Sequence, residues 1–90
     1  MEKHVLIFSA SWCGPCKKMK YYVWQNQDVK DALSKFDSVQ KIDIDEESGK
    51  KMAIAYRVNT VPRIYIVDQN GKPKKVAGFM GIGQALEFLV

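Results

Sequence analysis

The first clear feature of the chain is a short, unbroken apolar run, Val5-Leu6-Ile7-Phe8, inside His4 to Ser9. A run without alternation reads as a central strand covered on both faces, as in a parallel sheet. Ser9 to Trp12 reads as a loop. From Cys13 onward the pattern changes to helical spacing, with Cys16, Met19, Val23 and Trp24 on one face. Pro15 suits the first turn of that helix, where no backbone donor is lost. Asn26-Gln27-Asp28 interrupts the pattern, and Asp28 followed by Asp31 reads as a capping arrangement. Val29, Ala32, Leu33 and Phe36 form a second stripe, so the span from about residue 14 to 36 holds two helical pieces or one kinked helix.

Residues 39 to 45 (VQKIDID) read as a second strand with Ile42 and Ile44 on one face. A turn from Glu46 to Gly49 follows, with Ser48 as its cap, then a short helix carrying Met52, Ala55 and Tyr56 and ending near Arg57. Arg63 to Val67, rich in β-branched and aromatic residues, reads as a third strand. Asn70-Gly71 marks a hairpin into a fourth strand, Lys74 to Phe79. Ile82, Ala85, Leu86 and Leu89 give the stripe of a last helix. The order β-α-β-α-β-β-α predicts an α/β fold. It is a four-stranded mixed sheet flanked by helices, its first two strands parallel and its last two antiparallel.

Composition narrows the class. Ninety residues with 47% hydrophobic and 27% charged positions make one globular domain, residues 1–90, with no repeat or linker. The net charge of +4 comes from lysines in small groups: Lys17, Lys18 and Lys20; Lys50 and Lys51; Lys72, Lys74 and Lys75. They read as solvated faces, or as steering toward an acidic partner. No stretch interleaves dense Arg with aromatics, so nucleic acid is not an expected partner. No run is long enough for a membrane span or shaped like a secretory signal, so a cytoplasmic location without membrane contact is expected.

The chemistry lies in Trp12-Cys13-Gly14-Pro15-Cys16, which holds the only two cysteines of the chain. Three readings compete. Zinc wants four ligands, and the one further soft candidate is His4, well upstream. A buried structural pair is a second possibility. A redox pair fits best, because strand, short loop and helix start surround it in the required order. The helix start favours thiolate over thiol. Cys13 is expected to be the more exposed sulfur and the attacking nucleophile. Cys16, one turn in, is expected to resolve the mixed disulfide. Gly14-Pro15 keeps the turn tight. Trp12 flanks the nucleophile as a substrate contact or else packs in the core, and Lys17 adds nearby positive charge or points into solvent. Val61-Pro62 precedes the strand expected beside the first. A cis bond would turn the Val61 backbone toward the cysteines with its N–H and C=O unpaired; a trans proline would only start a strand. His4 reads as a strand residue at the surface and not a base. Tyr21, Tyr22 and Trp24 read as helix packing. Arg63 is a minor substrate-contact candidate, and Phe79 and Met80 are minor rim candidates.

Together these residues resemble the thioredoxin family. Trp12 to Lys17 matches its active-site motif residue for residue. Thr60-Val61-Pro62 falls where the family keeps a cis-proline, residues 41–45 (KIDID) look like its central strand, and Gly78 sits where it has a glycine near the site. The resemblance covers nearly all of the chain. It implies a thioredoxin fold, a cis Pro62, no cofactor and no metal. It also implies a protein-disulfide reductase that acts on disulfide-containing proteins, is recycled by a NADPH-dependent thioredoxin reductase and works as a monomer. Oxidase or isomerase action and a non-catalytic binding role are the rival readings. Three departures stand out. The family's usual N-terminal strand and helix have no counterpart in this compact sequence. The family's buried acid is Ile7 here, while Lys41 keeps the place of its lysine partner, so Cys16 is left to lose its proton to water or to a carboxylate such as Asp43. The segment from Tyr21 to Phe36 is also longer and more broken than in typical members, similar to the redox domains of membrane electron-transfer proteins.

Overall fold

A computed structural model describes residues 2–90. Its elements are β1 (Lys3–Ser9), α1 (Gly14–Lys18), a π-helical segment (Met19–Val23), α2 (Gln27–Leu33), β2 (Ser38–Asp43), α3 (Glu47–Ala55), β3 (Arg63–Asp68), β4 (Pro73–Ala77) and α4 (Ile82–Phe88). The sheet order is β2-β1-β3-β4. The first pair is parallel, with Ile7 opposite Lys41, and the other two pairs are antiparallel, with Ile7 opposite Ile64. The expected fold class and strand directions hold.

The unbroken apolar run of β1 has a direct physical cause. Val5 and Ile7 point to one face and Leu6 and Phe8 to the other, and all four are buried. The first face packs with Ile64 and Ile66 against Met19, Val23, Trp24, Val29, Ala85 and Leu89. The second packs with Val67 against Ile42, Ala53 and the rings of Tyr56 and Tyr65. A strand covered by helices on both sides has no polar face to show.

Several local expectations change. The cap of α2 is Asn26 and not Asp28: its side-chain oxygen accepts the Val29 N–H at 3.1 Å, two residues earlier than the acidic pair suggested. Ser48 does not cap α3. It lies inside the helix, and the cap position is Glu46, which makes no side-chain capping bond. Ile44 falls beyond the end of β2, and its N–H bonds the Ser9 carbonyl to tie that turn to the end of β1. Ile82 is exposed, because α4 starts at the edge of the layer and buries Ala85 and Leu89 instead.

The helical span breaks through one extra residue. The Trp24 N–H reaches the Met19 carbonyl at 2.8 Å, a bond five residues back that marks a π turn. This rotation lets Val23 and Trp24 both face the core. Tyr21 and Tyr22 face outward, 63% and 72% exposed, against the expectation that they pack.

The β3–β4 hairpin is organised by Asp68. Its carboxylate accepts the N–H groups of Asn70 and Lys72, and Lys74 Nζ lies 3.8 Å away. Gly71 takes the left-handed conformation that the turn requires, with φ of 76°. The Lys72 N–H bond holds the Asp68 carboxyl below the usual carboxylate range against the opposing effect of desolvation, with further lowering from the Asn70 N–H and the Lys74 charge. A folded value below the unfolded one, about 3.9, gives stability that is complete above that unfolded value and lost as pH falls through the folded one. Chemical denaturation of the native chain and of Asp68→Asn should therefore differ more at pH ~7 than at pH ~3. An unchanged gap between the two pH values would refute the assignment.

Candidate active site

The site forms where β1 ends. The Cys13 N–H bonds the Ala10 carbonyl at 3.1 Å, which closes the loop and delivers Cys13 to the start of α1. Cys13 is the N-cap of that helix, and its Sγ accepts the backbone N–H of Cys16 at 3.2 Å. Pro15 occupies the first turn, as its fixed φ and missing donor favour. The sulfurs of Cys13 and Cys16 form a disulfide, with Cα atoms 5.2 Å apart. A backbone N–H aimed at this sulfur is the kind of donor that favours a thiolate.

Pro62 approaches from the start of β3. The Val61–Pro62 peptide bond is cis and Pro62 is buried. The Cys13 Sγ lies 3.6 Å from the Val61 carbonyl oxygen. Among the described residues the Val61 N–H has no backbone partner. This neighbour changes the expected exposure: Cys13 is not the more open of the two cysteines, at 4% against 7% for Cys16. The Val61 segment covers one side of Cys13, and Ala10 packs beneath both.

The other predicted residues divide clearly. Trp12 is no core residue. It is 65% exposed and anchored by a 2.9 Å bond from its indole N–H to the Asp45 carboxylate. Gly14, Pro15 and Lys17 form the exposed face of the first turn. Gly78 sits beside Pro62, where a Cβ would meet the Pro62 carbonyl at 3.8 Å, an ordinary contact. Phe79 is exposed, whereas Met80 leaves the rim and joins the core. Arg63 donates to the Thr60 hydroxyl at 2.7 Å, bracing the segment that carries Pro62. His4 is a half-buried strand residue whose Nδ1 lies 2.7 Å from the Ser38 hydroxyl.

Behind α1 lies a cleft of about 350 Å³ that includes Ile7, Cys16, Lys41, Asp43 and Pro62 in its lining. Ile7 is buried where it faces this cleft and contributes no acid. The one carboxylate in the lining is Asp43, whose Oδ1 accepts the Asp45 N–H at 2.9 Å. Sequence reasoning missed Asp45 as the anchor of Trp12 and missed Lys20 and Tyr21 as cleft residues. Neither follows from periodicity. The first partner is 33 positions away, and the other two share the cleft with residues of β1 and β2 that are distant in the chain.

A cysteine pair that closes to a disulfide at a helix start, on a mixed sheet of this order, is the arrangement that thiol–disulfide exchange requires. The Thioredoxin family profile matches residues 1–88. Thioredoxin Y, chloroplastic, of Oryza sativa subsp. japonica is 40% identical over 73 residues, spanning 80% of this chain and 40% of that protein. The thioredoxin of Mycoplasma genitalium is 28% identical over 80 residues, spanning 88% of this chain and 72% of that one. In three dimensions the chain is similar to a thioredoxin from Thermus thermophilus, with a TM-score of 0.85 at 22% identity over 98% of this chain and 71% of that one. It is also similar to the DsbD C-terminal domain of Neisseria meningitidis, with a TM-score of 0.80 at 23% identity over 98% and 78%. These two likenesses concern the fold alone. The chain belongs to the thioredoxin family.

Proposed function

We propose that this chain is a general protein-disulfide reductase, with Cys13 as nucleophile and Cys16 as resolving residue. The observation that carries the reading is the Cys13–Cys16 disulfide, seated at the start of α1 beside Val61. The Cys13 thiolate attacks one sulfur of a substrate disulfide; a new S–S bond forms and the other substrate sulfur leaves as thiolate. Cys16 then loses its proton, through the cleft to water or to Asp43, and attacks Cys13. That step frees the second substrate thiolate and leaves the pair oxidised. Two electrons pass from the dithiol to the substrate.

The backbone of half-buried Val61 and the exposed face of Trp12 supply contacts for an extended substrate segment, and Gly78 leaves room beside Pro62. Lys17 and Lys41 add positive charge around the pair. The oxidised chain is returned to the dithiol by a NADPH-dependent thioredoxin reductase. It acts as a monomer in the cytoplasm, without nucleic-acid or membrane partners. In support of the last point, no helix among the described residues is long and apolar enough to cross a membrane.

Equilibration of the Cys13/Cys16 pair with glutathione tests the direction of transfer. A potential near the roughly −270 mV of thioredoxin is the expected result. A value near roughly −120 mV, that of a strong oxidant, would make the chain a disulfide donor and overturn the reading.

A further inference from the structure

The cleft behind α1 gathers more positive charge than the exchange chemistry calls for. Three lysines from different elements line it: Lys17 from α1, Lys20 from the π-helical segment and Lys41 from β2. None of them forms an ion pair among the described residues. The single acidic residue in the lining is Asp43, and its Oδ1 is engaged by the Asp45 N–H. The walls offer apolar contact as well. Trp24 forms part of the floor, and Tyr21 stands 63% exposed with the Lys20 ammonium 5.7 Å from its ring centroid. The cleft shares Cys16 and Pro62 with the disulfide site, so a partner held at Cys13 passes next to it.

We propose that this cleft is a specificity subsite: it selects protein partners that carry an acidic side chain close to their reactive disulfide. The inference rests on the disulfide-reductase reading and names the substrate class of that site. An ammonium group has three donors and no acceptor, so three unpaired lysines around one concavity are complementary to a carboxylate. A glutamate or aspartate entering between them would exchange bulk water for a site rimmed with opposite charge and walled by aromatic surface.

The test uses two disulfide peptides of equal length, one with glutamates beside its cystine and one with lysines there. Reduction is followed at low ionic strength by the reduced full chain. The expected result is a kcat/KM about tenfold higher for the acidic peptide, collapsing as salt shortens the screening length. Lys20→Glu should narrow that preference to about twofold by slowing the acidic peptide and speeding the basic one, a crossed change that general damage does not give. Lys72→Glu makes the same change of net charge at the far end of the β3–β4 hairpin and should leave the preference intact. Equal rates for the two peptides, or an equal loss of preference in Lys20→Glu and Lys72→Glu, would overturn the subsite while leaving the reductase reading in place. Reduction of neither peptide would overturn both.

Discussion

Cys13→Ser should bring the reduction of insulin disulfides to the buffer background, whereas Cys16→Ser should keep the first half of the reaction and stall. The difference follows from what each sulfur meets. The Cys13 Sγ receives the Cys16 N–H at 3.2 Å and lies 3.6 Å from the Val61 carbonyl, where a substrate segment would run. A serine hydroxyl there ionises far too weakly to attack a disulfide, whatever the helix start contributes. In Cys16→Ser the Cys13 thiolate remains and still displaces one substrate sulfur, but nothing follows to release the adduct. Each chain should hold one partner as a mixed disulfide, visible by intact-mass spectrometry and reversed by added thiol. If Cys13→Ser were the variant that accumulates an adduct, the roles of the two cysteines would be exchanged.

The largest effect on stability is expected from Phe8→Ala. Phe8 is fully buried and meets the rings of Tyr56 and Tyr65, with centroids at 6.0 and 5.8 Å. The two tyrosines are fixed in turn by bonds from their hydroxyls to the carbonyls of Gly71 and Tyr56. Those anchors restrain the neighbours from moving into the vacated space. Removing the ring loses its transfer free energy and leaves a cavity, together about 3–5 kcal/mol. In a small domain that is a large part of a total stability of about 5–15 kcal/mol. At about 4–8 °C per kcal/mol, the melting temperature should fall by about 20 °C. Val76→Ala, on the exposed outer strand, is the matched comparison and should change stability by no more than about 0.5 kcal/mol. Thermal melts followed by circular dichroism read both. Similar melting temperatures for Phe8→Ala and the unaltered chain would show that the face of the sheet under α3 is not the tight core described above.

These two predictions draw on different sources. The reactive pair was legible from spacing alone, since Cys13, Pro15 and Cys16 follow a strand and open a helix, and that order is local. The core role of Phe8 was partly legible: an unbroken apolar run demands cover on both faces but does not say which side chains provide it. The aromatic partners Tyr56 and Tyr65 come from a later helix end and a later strand, and only the strand pairing brings them to Phe8. The cap of α2 shows the opposite limit. Asn26, Asp28 and Asp31 all satisfy a capping preference by residue type, and only the extended backbone at Asn26 picks out the one that caps.

The sequence by itself determined the order and type of the elements, the two-faced burial of β1, the turn at Asn70-Gly71 and the disulfide-forming pair. Each depends on neighbours a few residues apart, through side-chain periodicity, turn conformation or helix-start chemistry. The tertiary structure decided the near-equal burial of Cys13 and Cys16, the anchoring of Trp12 by Asp45, the outward turn of Tyr21 and Tyr22, and the lysine-lined cleft beside Cys16. Those depend on which distant strands and helices lie side by side. Side-chain direction beyond the first turn is set by packing against partners that are far away in the chain.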